Sequence, residues 1–121
     1  GPLFFPGTPA GRTRRKAFDS RVRGLVTGLI RRGPQVSPIE FAVEDVPPSD
    51  PAPWESHSVV VARIFPADRR RGLRDRIVVY RLPITLRCPP EEIAMMTRRV
   101  LVERISHILA LPPDEIDDAM R

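Results

Sequence analysis

Of the 20 basic residues in this 121-residue chain only Lys16 is a lysine, and the only cysteine is Cys88. A single thiol excludes an internal disulfide framework, so nothing points to an oxidising compartment. No segment approaches the roughly 20 consecutive apolar residues that span a bilayer. The opening GPLFFPGTPA is apolar but carries three prolines and no basic n-region, so it does not read as a signal peptide. A cytoplasmic location without a membrane partner is therefore expected. Aromatic residues make up 6% and are not interleaved with the basic ones, as base stacking would need. A glycine-rich phosphate loop, a nucleophile elbow, paired cysteines and an intact H-E-x-x-H are all missing, which removes the common signatures of phosphoryl transfer, acyl transfer and zinc hydrolysis. There are no internal repeats.

What is present fits one modest domain of ordinary polarity, 41% hydrophobic and 29% charged. Fifteen prolines and an arginine-for-lysine bias suggest GC-rich coding and a bacterial source such as an actinobacterium. The net charge of +5 has two readings. Clustered arginine pairs well with phosphate, but the same charge lies within the range of about 2–8 that keeps a small domain soluble.

Residues 1–11 read as a Pro/Gly-rich arm, and 12–121 as the domain. Gly1-Pro2 resembles a protease-cleavage scar, and Leu3, Phe4 and Phe5 are apolar enough to pack on the domain or on a neighbour. Residues 13–32 predict a helix with Thr13 as N-cap and Phe18, Val22, Leu25, Val26, Leu29 and Ile30 on its apolar face. Arg14, Arg15, Lys16, Arg21, Arg23, Arg31 and Arg32 line the polar face. Gly24 and Gly28 mark a place where a neighbouring element could approach closely, and Gly33-Pro34 ends the helix. Strands follow over Pro38–Val46, Ser58–Phe65 and Arg76–Arg81, the last an apolar run predicted to be central. Between them lie a proline-rich loop with Trp54 and a charged turn, PADRRRGLRD. Leu82-Pro83-Ile84 leaves the sheet, a long helix runs from about Pro90 to Leu109, and a short one follows from Pro112 to about Met120. The expected fold is α+β, a mixed or antiparallel sheet of three to four strands packed against an N-terminal and a C-terminal helix.

The two histidines, His57 and His107, stand in different elements, and neither alone identifies a ligand site. The order IEFAVEDVPP (39–48), RIVVYRLPI (76–84) and VERISHILAL (102–111) resembles the minimal zincin-like metallopeptidase family of bacteria. It is most similar to an actinobacterial branch with an eroded zinc motif, over roughly residues 12–118. In intact members the last helix carries H-E-x-x-H, then a glycine and a downstream acid. Two histidines one turn apart share a Zn²⁺ and the glutamate is the base. The resemblance puts Glu103 at the first histidine, Arg104 at the glutamate, His107 at the second histidine, Ala110 at the glycine, and Pro113 or Asp114 at the acid.

Arg104 offers donors only and cannot act as a base, and it sets a positive charge beside the cation position. The resemblance therefore implies a pseudoenzyme without cofactor, retained as a protein- or peptide-binding module in which Arg104 meets a partner carboxylate or chain terminus, or merely pairs with Glu103, Glu91 or an acid of the sheet. A residual zinc site of Glu103, His107 and Asp114 is the alternative, as a weak metal-dependent hydrolase. A third reading is nucleic-acid binding through phosphates by the basic helix face, including Arg14, Arg15 and Arg21.

Overall fold

The structure, a computed structural model, describes residues 9–36, 38–48 and 60–120. Helix α1 spans Pro9–Arg32, strand β1 Glu40–Glu44, β2 Ala62–Phe65 and β3 Arg76–Tyr80. Helices α2 (Arg81–Thr85), α3 (Ile93–Leu109) and α4 (Pro113–Ala119) complete the order. The fold is α+β, as the alternation of periodicities predicts. The apolar arm Leu3, Phe4 and Phe5, the loop residue Trp54 and His57 lie outside the described residues.

The three strands form one mixed sheet in the order β1–β3–β2. β1 pairs parallel with β3, from Glu40 opposite Arg76 to Glu44 opposite Tyr80. β2 pairs antiparallel, from Ala62 opposite Val79 to Phe65 opposite Arg76. The central place of β3 follows from its composition. Ile77, Val78, Val79 and Tyr80 are all buried, and only a strand covered on both faces can be apolar at every position.

Ile77 and Val79 project from one face into the core, where they meet Phe18, Val22 and Leu29 of α1, Leu101, Val102 and Ile105 of α3, and Ile116 of α4. The predicted stripe of α1 is thus the buried one, except that Ile30 is exposed. Ile30 stands eight residues, about 80°, round the helix from Val22, and so falls at the rim.

Three local expectations need correction. The first helix begins at Pro9 rather than after a Thr13 cap, so helical backbone reaches into the segment read as an arm; proline suits the first position of a helix because its missing N–H has no partner there. The strand expected through Arg81 stops at Tyr80, and Arg81-Leu82-Pro83 forms the first turn of α2, where proline is tolerated. Gly24 and Gly28 meet no neighbouring element among the described residues, since a Cβ added at either finds none of their atoms within 4 Å. Gly24→Ala and Gly28→Ala should therefore each raise stability by about 0.5–1 kcal/mol, through helix propensity and a less free unfolded chain. Urea unfolding reads this directly, and a loss of stability would reveal a close approach at that face.

Two polar clamps fix the helices on this frame. Arg81 donates from Nε to Asp45 Oδ1 at 3.1 Å, and Arg15 reaches Asp45 Oδ2 at 2.9 Å. The Leu82 N–H also donates to the Asp45 carbonyl at 3.0 Å. One aspartate just past β1 thereby ties together α1, the end of β3 and the start of α2. At the other clamp Arg98 of α3 holds Asp117 of α4, Nε to Oδ1 at 2.8 Å, with a second bond to the Asp117 carbonyl.

Candidate functional site

Helix α3 lies against β2, and its pattern decides which residues face the core and which face out. Thr97, Leu101 and Ile105 recur every four residues and are fully buried, which turns Glu103 and His107 outward on the opposite side. Glu103 and His107, at i and i+4, share one face. Arg104 lies between them, partly covered, with Nη1 3.6 Å from Glu103 Oε2. That separation is too long for a hydrogen bond and, on half-exposed side chains, is a weak ion pair.

These three residues line a cavity of about 430 Å³ together with Ala62, Arg63, Ile64 and Pro66 of the β2 segment. The backbone of β2 is positioned to meet whatever enters. The Tyr80 N–H donates to the Val61 carbonyl at 2.9 Å, which makes Val61 and Tyr80 a hydrogen-bonded pair. By antiparallel alternation Arg63 and Phe65 also turn their backbone groups to β3, whereas those of Ala62 and Ile64 point away from it. Among the described residues no strand pairs with that outer edge. The site thus combines a strand edge, a helix carrying Glu103, Arg104 and His107, and a second arginine, Arg63.

Not every residue singled out in the sequence belongs here. Asp114 sits exposed in the first turn of α4, beyond the bend at Ala110–Pro112. The structure does not gather it with Glu103 and His107, and no three His, Cys, Asp or Glu side chains among the described residues are placed to hold a metal ion. Two side chains from one helix, with a guanidinium between them, do not make the donor set that zinc needs, so no hydrolytic step follows from these residues. Arg15 is likewise no simple surface cation, since it pairs with Asp45; Arg14 and Arg21 are exposed on α1 and do not line the cavity. A second cavity of about 360 Å³ flanks the other sheet edge, between α1 and β1, and contains none of the motif positions.

The β2 contributors were not recognisable from the sequence as site residues. A short β-branched run ending at Pro66 predicts a strand, but nothing local says which strand is an edge.

One further position on α3 has an unusual backbone. Ala110 terminates α3 in the left-handed region, φ 54°, and is the only non-glycine residue with positive φ among those described. Its N–H closes the helix on the Ser106 carbonyl, and the Ser106 hydroxyl donates to the Leu111 carbonyl just beyond. A Cβ is disfavoured in that conformation by roughly 1–2 kcal/mol, and glycine is the usual occupant. Ala110→Gly should stabilise the fold by about 0.5–1 kcal/mol after the larger unfolded-state entropy of glycine is subtracted. Thermal unfolding checks this, and a destabilised variant would contradict the left-handed cap.

No protein-family model matches the chain, and no curated protein matches it in sequence. Among the described residues no helix is long and apolar enough to cross a membrane.

Proposed function

We propose that this chain is a zincin-like scaffold without its metal chemistry, acting as a module that binds an extended peptide or protein segment through a carboxylate. The observation that carries the reading is the cleft between the outer edge of β2 and α3, with Arg104 at the position that in intact zincin-like members belongs to the catalytic glutamate. An extended segment laid along β2 would find the N–H and C=O groups of Ala62 and Ile64, the mode by which strand addition gives affinity without sequence demands. Arg104 has five donors, and its contact to Glu103 leaves most of them available for a side-chain or terminal carboxylate of the occupant. Arg63 lines the same cleft.

Two measurements test this. After zinc loading and desalting without chelator, mass spectrometry should find far less than one zinc per chain. Stoichiometric zinc that disappears in His107→Ala would overturn the reading in favour of a residual hydrolase. Extended peptides with a free C-terminal or aspartate carboxylate should bind, and Arg104→Ala should weaken them roughly 10-fold or more, the scale of one charge-assisted hydrogen bond. Equal affinity for amidated, uncharged peptides would remove the role assigned to Arg104.

A further inference from the structure

The β2–β3 hairpin carries a charge concentration that the cleft does not use. Within residues 66–76 stand five arginines, Arg69, Arg70, Arg71, Arg74 and Arg76, against two aspartates, a net +3 of the chain's +5. All five arginines are exposed. None of them takes part in an ion pair among the described residues. The two acids are turned toward backbone instead. Asp68 Oδ1 accepts the Arg71 N–H at 3.4 Å and Asp75 Oδ1 accepts the Ala67 N–H at 3.0 Å.

The turn itself is well defined. Residues 69–71 form one 3₁₀ turn capped by Asp68 and closed by Gly72 at φ 67°. Asp68 and Leu73 then exchange two backbone hydrogen bonds of 2.9 Å. Three consecutive arginines in a 3₁₀ turn splay their side chains about 120° apart, so the tip presents charge in several directions. The topology adds more at the same end. β1 and β3 both begin there, with Glu40 opposite Arg76, and α1 delivers Arg31 and Arg32 in its last turn shortly before β1 starts.

We infer that this arginine-rich end of the sheet, centred on the β2–β3 hairpin, binds the phosphodiester backbone of a nucleic acid. The planar guanidinium fork matches phosphate oxygens, and contacts to phosphate carry no base-sequence information, so the contact is independent of base sequence. An anionic membrane is the less suited partner, because beside five arginines the hairpin exposes only two large apolar side chains, Phe65 and Leu73, and membrane binding relies on apolar insertion as well as charge. This site is distinct from the cleft at Arg104 and does not depend on it.

The test is binding of fluorescent duplex DNA and duplex RNA of about 20 base pairs, followed by anisotropy across salt. Five phosphate contacts predict that affinity falls about 500-fold between about 50 and 200 mM salt. In Arg69→Ala/Arg70→Ala/Arg71→Ala, which removes three of the five, the fall should shrink to about 10-fold. The matching triple replacement by lysine should keep the steep dependence, because it retains the charges, and circular dichroism confirms that each variant is folded. Preference for one duplex over the other identifies which nucleic acid is the ligand. No binding near 50 mM salt, an unchanged salt slope in the alanine triple, or binding only to phosphatidylserine vesicles would each overturn the inference.

Discussion

Asp45→Ala is expected to destabilise the protein by about 3 kcal/mol, because it strands the guanidinium of Arg81 in a nearly dry site. The Arg81 side chain is only 11% exposed, and Asp45 Oδ1 is the partner of its Nε. Removing one member of such a pair costs more than the pair contributes, since the remaining charge keeps its burial and loses its compensation. The same aspartate also holds Arg15, but that side chain is 36% exposed, so Arg15→Ala should cost no more than about 1 kcal/mol. Asp45→Asn should fall between the two, because the amide oxygen can still accept from Arg81. Urea unfolding followed by circular dichroism measures all three. If Asp45→Ala and Arg15→Ala cost the same, the buried Arg81 guanidinium does not depend on Asp45.

Ile105→Ala is expected to cost a similar amount, about 3 kcal/mol, and to weaken the cleft as well. Ile105 is fully buried against the sheet, one residue after Arg104 and two before His107. It is therefore part of what holds the outward face of α3 beside β2. A truncated side chain leaves a void that the helix can close only by shifting, and a shift would misplace Arg104 relative to the edge of β2. His107→Ala, on the exposed face of the same helix, should change stability by no more than about 0.5 kcal/mol. The contrast separates the two faces of α3 by unfolding alone, and peptide binding then reports the shift. An Ile105→Ala protein that unfolds with wild-type stability would show that α3 does not pack on the sheet through this residue.

Much of the architecture can be read in short-range pattern. The stripe of Phe18, Val22, Leu25 and Leu29 marks the buried face of α1, and the unbroken RIVVY run marks a central strand; both follow from the 3.6- and 2-residue periods of local backbone. The same logic places Glu103 and His107 together on α3, because residues four apart in a helix share a face whatever surrounds them. Ala110 lies between these levels. Its place at the end of the apolar period is legible, but its left-handed backbone is not, because alanine does not favour that conformation.

Other features are invisible at short range. The Asp45–Arg81 bond joins residues 36 apart, and no local period records it. That Arg15 serves this clamp rather than a basic surface depends on where β1 ends, and that Asp114 stays away from Glu103 and His107 depends on how α4 leaves α3. The open faces of Gly24 and Gly28 depend on what fails to pack there. The cleft itself needs β2 to be an edge strand, which is a property of strand order.

The sequence by itself determined the order and type of the main helices and strands though not their ends, which face of α1 is apolar, and which side chains share the outward face of α3, because these depend on contacts within one or two turns of chain. Only the tertiary structure decided that Ala62 and Ile64 border that helix and that Asp45 holds Arg81 and Arg15. Those arrangements depend on which distant segments meet once burial of the common core has brought them together.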